Sequence, residues 1–309
     1  MDTFLIAFQT VLPLFLVIFA GLLFSRTKAV SETWVDTLNK YALWIGFPAL
    51  VIASLMHLEP GGQSYSRLIL TNSVYIVACM LLAFPVARIF RLSSRIKRSL
   101  FLILSFGNVA YLGIPVLQNT FGETVLPVAA IISAVYVFWL FTLGIILVEI
   151  NGENRLNGKK LLFSLLKNPL LLSVFTGIFL VVFEIDLPEV AEKTILLFSD
   201  SVTAVVLFSL GIFLGLHKTG SLKEWSTAFG WAVVTMLAIP FVFYGVAKNT
   251  GMELMQLKAT ILDSAMPLGL TPYALAVQYQ LETTLVARIV VLATSLSIFI
   301  IPLWIAILQ

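Results

Sequence analysis

The chain has 309 residues, 60% apolar and 11% charged, with a net charge of +3. A soluble domain carries about 25% charged residues, so this surface is not built to face water; the apolar content excludes disorder, and the single cysteine, Cys79, excludes a disulfide scaffold. The basic residues sit in short loops and give no sign of nucleic-acid binding, which leaves an all-α polytopic membrane protein in a lipid bilayer.

A spanning helix needs about 20 apolar residues. Hydropathy predicts ten spans, at 4–24, 38–57, 67–88, 98–120, 124–148, 161–183, 194–216, 225–248, 256–279 and 284–308. The first follows Met1-Asp2-Thr3 with no basic segment before it and reads as a retained helix. The connections are short, the longest charged one being 151–160. Basic residues fill the odd loops: Arg26 and Lys28, then Arg88, Arg91, Arg95, Lys97 and Arg98, then Arg155, Lys159, Lys160 and Lys167, then Lys218 and Lys223. The even loops hold Arg67, Lys193, Lys248 and Lys258, and the sixth is acidic, with Glu184, Asp186, Glu189 and Glu192. By the positive-inside rule the odd loops are cytoplasmic and both termini lie outside, as an even number of spans requires. Residues 1–150 and 151–309 then form two five-helix halves of opposite orientation.

The fourth member of each half is interrupted. Span four reads Ser105-Phe-Gly-Asn-Val-Ala-Tyr-Leu-Gly-Ile-Pro115, and span nine reads Asp263-Ser-Ala-Met-Pro-Leu-Gly-Leu-Thr-Pro-Tyr273. Proline removes a backbone donor and clashes with the preceding turn. Backbone freed inside a membrane must be satisfied by protein, water or ligand, and the N-terminus of a half-helix is a positive dipole end suited to a carboxylate. Matching broken helices in two inverted halves point to a transporter site at the midplane. The candidate binding residues are Asn108, Tyr111, Gly113 and Pro115 on span four and Pro267, Thr271, Pro272 and Tyr273 on span nine. A plain packing kink is the alternative for either helix alone.

Asp263 and Asp200 are the carboxylates well inside predicted spans. A membrane carboxylate is costly and a functional candidate by default. Asp263, one turn before Pro267, is a coupling-ion candidate for Na+ or H+, with a structural role as the equal alternative; Asp200 reads as a cap or pairing residue. Ser133 and Tyr136, three apart on span five, share a face that lines a cavity or bonds a neighbouring helix. Arg288 reads as snorkelling to the interface or pairing with Glu282. Cys79 reads as apolar filler, Trp34, Trp225 and Trp304 as interfacial aromatics, and His57 and His217 as span-end residues without metal-ligand spacing. No phosphate loop, zinc motif, nucleophile elbow or histidine–carboxylate set appears, which argues against an enzyme and against a cofactor or bound metal.

These motifs resemble those of the auxin efflux carrier family. Asn108 to Pro115 is similar to its span-four pattern Asn-x-x-x-x-Gly-Ile-Pro, and Ala265 to Tyr273, with Ala276 and Tyr279, to its span nine. Asn39 to Pro48, Lys167-Asn-Pro169 and Phe208 to Leu214 resemble its spans two, six and seven, in the right order. The resemblance implies a ten-helix inverted repeat with crossed helices four and nine, similar to sodium/bile-acid symporters. It implies a scaffold of helices one, two, six and seven that also makes a homodimer. Helices three to five and eight to ten would then form a transport domain that moves as an elevator. In the plant exporters the crossing prolines and the nearby asparagine receive the carboxylate; here these are Pro115, Pro272 and Asn108. Bacterial relatives carry malonate, malate and similar anions. This chain departs from the plant pattern in span three, where Leu70 to Tyr75 carries no charge, and in Asp263, which has no match there.

The expected function is transport of small organic anions, mainly carboxylates, across a prokaryotic inner membrane, with both termini periplasmic. Uniport driven by the membrane potential and H+- or Na+-coupled symport through Asp263 both stand. A membrane-embedded sensor that binds an anion without moving it is the alternative from another class.

Overall fold

The computed structural model describes residues 2–27, 30–56, 64–152, 166–167, 169–216 and 222–308. Regular structure among these residues is helical, apart from one isolated antiparallel bridge between Gly107 and Leu268. In chain order, α1 is Asp2–Phe24, and α2 is Glu32–Tyr41 continuing through Ala42–Gly46 into Phe47–Met56. Next come α3 (Ser66–Ile89), α4 (Ser94–Ile103), α5 (Val109–Gly113 continuing as Ile114–Phe121) and α6 (Glu123–Ile150). The rest are α7 (Pro169–Val182), α8 (Glu189–Leu216), α9 (Leu222–Val233, Val234–Ala238 and Ile239–Ala247), α10 (Leu254–Ser264), α11 (Leu270–Gln278) and α12 (Thr283–Leu308).

Five of these, α3, α6, α8, α9 from Glu224 and α12, are each long and apolar enough to cross a membrane. Large apolar side chains also point outward, among them Leu70 and Val74 on α3, Phe175 on α7 and Phe241 on α9. A water-soluble fold does not expose such a surface; hydrocarbon covers it at no cost. The chain is an all-helical polytopic membrane protein.

Three of the four π-helical turns among the described residues sit just ahead of a proline; the fourth, Leu140–Gly144 in α6, does not. Ala42–Gly46, Val109–Gly113 and Val234–Ala238 are π-helical turns. Each ends two residues before a proline: Pro48, Pro115 and Pro240. A proline cannot donate to the carbonyl four residues back, and its ring crowds that carbonyl. The wider turn absorbs the clash inside a continuous helix. The freed carbonyl needs a donor, and one case shows it: buried Trp304 on α12 donates its indole N–H to the carbonyl of Met236 at 2.9 Å. Trp304 is therefore an internal strut. The expectation of an interfacial aromatic fails because a neighbouring helix's proline supplies an acceptor that sequence position does not reveal.

α1 lies against α8 with almost no side chain between them. A Cβ on Gly21 would run into the carbonyl oxygen of Phe208, one on Gly211 into that of Ile18, and one on Gly215 into the hydroxyl of Ser25. Glycines four apart, here Gly211 and Gly215, let backbones approach in this way. α2 joins the same layer through Ser209 Oγ donating to Asn39 Oδ1 at 3.0 Å and a 2.6 Å hydrogen bond between the hydroxyls of Tyr41 and Ser201. α2 starts at Glu32, earlier than predicted, because Glu32–Tyr41 is polar and amphipathic and a hydropathy window does not register it. Span six is seen from Pro169 onward, with 161–165 outside the described residues, as are His57, His217 and most of 151–160.

Arg288 neither snorkels nor pairs with Glu282. It is buried at 9% exposure and forms a 3.1 Å ion pair with Glu224 on α9. Glu282 instead lies 3.9 Å from Arg95. Both corrections come from long-range packing that brings α12 beside α9 and the end of α11 beside α4.

Candidate functional site at the helix crossing

Two breaks of five residues each, 104–108 and 265–269, separate α4 from α5 and α10 from α11. They meet. Gly107 and Leu268 form the antiparallel bridge, and the Asn108 N–H donates to the Pro267 carbonyl at 2.6 Å. The approach depends on glycine. A Cβ at Gly107 would lie 3.0 Å from the Met266 carbonyl oxygen, and one at Gly269 would lie 3.3 Å from Asn108 Cα. Local side chains close the incoming ends: Ser105 Oγ donates to Phe101 O at 2.6 Å, and Ser264 Oγ donates to Ile261 O at 2.7 Å.

The outgoing ends are left open. α5 starts after Asn108 and α11 after Gly269, and neither has a side-chain cap. First-turn N–H groups lack partners within their own helix, and each N-terminus carries roughly half a positive charge. The two ends therefore converge beside Asn108. Asn108 is 2% exposed and its Nδ2 has no hydrogen-bond partner among the described residues. A buried, unpaired amide donor costs about 1–3 kcal/mol.

Asp263 lies behind this point. It is fully buried, and neither carboxyl oxygen has a hydrogen-bond partner among the described residues. One oxygen lies directly against Gly113, where a Cβ would collide with it. Tyr136 on α6 is 1% exposed, and its hydroxyl also has no partner among the described residues. Ser133, one turn earlier, donates to the Val109 carbonyl on α5 at 3.4 Å, and Tyr136 borders a small cavity.

The remaining predicted residues face other ways. Pro115 and Pro272 are buried beyond the crossing, and Thr271 is half-buried in the first turn of α11. Tyr111 packs edge-on against Phe47 of α2, with ring centroids 4.9 Å apart. Tyr273 packs edge-on against Phe213 of α8 at 5.1 Å. Each outgoing half-helix thus sets one tyrosine against the layer formed by α1, α2 and α8. Asp200 caps no helix end. It sits well inside α8, exposed, on the wall of a cleft.

That cleft, about 1140 Å³, lies between this layer and α5. Leu14, Leu50, Asp200 and Thr203 line one wall, and Pro115 and Glu123 the other. On the opposite face of the crossing the cavity bounded by Tyr75, Ser105, Tyr136 and Ser264 is only about 10 Å³, the volume of about one water. The large cleft reaches α5 at Pro115, and the residues of the crossing itself border the small cavity.

Composition alone misses α3. Its Asn72 donates to Thr260 Oγ1 at 3.0 Å, and the Tyr75 hydroxyl donates to the Ser264 carbonyl at 3.5 Å. The signal is spacing: Asn72, Tyr75 and Cys79 fall on one helix face, which here turns toward α10.

The sequence matches the membrane transport protein family over residues 6–305. It is 24% identical to an uncharacterized transporter of Methanocaldococcus jannaschii, covering 97% of this chain and 98% of that one. It is 24% identical to the uncharacterized transporter YfdV of Escherichia coli K12, covering 95% of each. A shorter match, 28% identical, links 41% of this chain to 21% of auxin efflux carrier component 3a of Oryza sativa subsp. japonica. With the crossed, broken helices, these matches show that the chain is a membrane transporter, not an enzyme, and belongs to the auxin efflux carrier family of membrane transport proteins.

Proposed function

We propose that this protein is a secondary transporter of small organic anions, carboxylates first among them, with the helix crossing as its site. The observation that carries this reading is the convergence of two uncapped half-helix N-termini on the unpartnered amide of Asn108. A carboxylate there gains two positive dipole ends and an amide donor, which offset its desolvation. The cleft that reaches Pro115 supplies a route from one side of the membrane.

In this reading α4 with α5, and α10 with α11, each count as one pass, giving ten spans in two inverted halves, 1–150 and 151–309. α1, α2, α7 and α8 form a fixed scaffold that pairs two copies. The crossing, with α3 to α6 and α9 to α12, slides against the scaffold as an elevator, in an inner membrane with both termini periplasmic. Asp263 is the coupling group: its unpartnered oxygens sit one layer behind the anion, where H+ or Na+ balances the charge. Uncoupled movement of one charge would instead be driven by the membrane potential, about 2.3 kcal/mol per 100 mV.

The test is flux into proteoliposomes across a panel of mono- and dicarboxylates that includes indole-3-acetate, with and without Na+ and a pH gradient. Saturable uptake of one carboxylate, lost in Asn108→Ala, is the expected result. Uptake in Asp263→Asn should continue without its ion dependence if Asp263 couples, and unchanged ion dependence would reject that role. Saturable binding without flux would overturn the transport reading in favour of a sensor.

A further inference from the structure

We propose that the groove between the end of α3 and the start of α4 is a binding site for the headgroup of an anionic phospholipid, independent of the crossing. The groove measures about 650 Å³ and is bounded by Phe84, Pro85, Arg88, Leu92, Ser94 and Lys97. Phe84, Pro85 and Arg88 come from α3, and Leu92, Ser94 and Lys97 from the turn and α4, so each side brings apolar surface and one cation. Lys97 Nζ sits 5.9 Å from the centroid of the Phe84 ring, so its charge is held at the apolar edge rather than out in solvent.

Of the five basic residues of this corner, Arg91 lies outside the groove lining and the other four divide into two sets. Arg95 donates to the Leu281 carbonyl at 3.1 Å and lies 3.9 Å from Glu282. Arg98 donates to the carbonyls of Val148 at 2.9 Å and Tyr279 at 3.4 Å. These two clamp α4 to the ends of α6 and α11. The side chains of Arg88 and Lys97 make no hydrogen bond and no ion pair among the described residues, and both line the groove. The sequence contains no Asp or Glu between Glu59 and Glu123, so the segment that builds the groove supplies no counter-charge of its own.

The apolar surroundings choose among anions. Leu81 and Leu82 are exposed on α3 beside the groove, and Ile89 and Phe90 stand 73% and 68% exposed at its end. Two unpaired cations bordered by a strip of exposed apolar side chains match a phosphate diester that carries acyl chains. Free phosphate satisfies the cations and leaves the apolar strip bare. Basic pockets at the end of a spanning helix are the usual seat of anionic headgroups, each Lys or Arg contributing roughly fivefold in affinity.

The experiment is native mass spectrometry of the full chain in detergent with added phosphatidylglycerol, phosphatidylcholine or inorganic phosphate. Wild type should retain phosphatidylglycerol in preference to phosphatidylcholine. Arg88→Gln with Lys97→Gln should lower that retention by about 25-fold. Arg26→Gln, which removes an exposed basic residue from the loop after α1, should retain it as wild type does. The tryptophan-fluorescence melting curve verifies that each variant is folded. Equal retention in the double variant overturns the proposal, as does equal loss in Arg26→Gln, which would reduce the effect to general attraction. Displacement of the lipid by inorganic phosphate at matched concentration would assign the groove to free anions and also overturns it.

Discussion

Replacing Gly211 by alanine tests the backbone contact between α1 and α8. The new Cβ would fall 2.8 Å from Leu22 N and 2.9 Å from Gly21 Cα, and would enter the Ile18 carbonyl oxygen. Ordinary contact begins at 3.4 Å, so α1 and α8 must part by more than an ångström, the Ile18 carbonyl oxygen setting the distance. All three neighbours are backbone atoms, which no rotamer change can move aside. Overpacking of this kind costs about 1–3 kcal/mol, and the upper end applies because two whole helices must shift. Alanine recovers about 1 kcal/mol over glycine in helix propensity. The net loss is therefore about 2 kcal/mol, a fall in melting midpoint on the order of 5 °C. Gly230→Ala on α9 is the internal control: its Cβ meets nothing within 4 Å, so only the propensity gain remains and the midpoint should rise. Gly21→Ala collides with the Phe208 carbonyl across the same contact. Once one substitution has separated the helices, the second costs less, so the double variant should lose at least about 0.5 kcal/mol less than the sum. The assay is thermal unfolding in detergent by intrinsic tryptophan fluorescence. An unchanged midpoint for Gly211→Ala, or strict additivity, would refute backbone contact between α1 and α8.

Gly113→Ala drives a methyl group into the Asp263 carboxyl; stability should fall by about 1–3 kcal/mol, and adding Asp263→Ala should restore most of it, read by the same melting curves. Trp304→Phe leaves the Met236 carbonyl of a π-turn without its buried donor, and should cost about 1–3 kcal/mol from that group alone. Arg288→Gln strands Glu224 without the 3.1 Å ion pair that joins α12 to α9. Because Glu224 remains half exposed, the loss should be nearer 1 kcal/mol than the 3–5 kcal/mol of a fully buried pair, and it should shrink with added salt.

Glycine and proline make the site legible in the amino-acid sequence. The breaks contain Gly107, Pro267 and Gly269, with Gly113 and Pro272 just past them in the outgoing half-helices, and the two interrupted segments do meet. What sequence hides depends on facing partners. Gly113 reads as a helix loosener; its role against Asp263 needs α10 laid across α5. Trp304, near a terminus, reads as interfacial because nothing local shows that α9 offers it a carbonyl. The first turns of α2 escape a hydropathy window because their residues are polar, while the contact that holds them, Ser209 to Asn39, lies 170 positions away in sequence. Local conformational rules act within a few residues and are readable there. Pairings across helices are not.

In the proposed mechanism one anion site, at the crossing, is carried past helices that stay still. Tyr111 of α5 and Phe47 of α2 straddle that boundary, with rings 4.9 Å apart. In a Cys79→Ser background, Phe47→Cys with Tyr111→Cys can be joined by a short reducible thiol cross-linker. Carboxylate flux in proteoliposomes, measured with the same protein before linking, after linking and after reduction, decides the matter. The account predicts that linking stops flux and reduction restores it. Undiminished flux while the two helices are joined would contradict it.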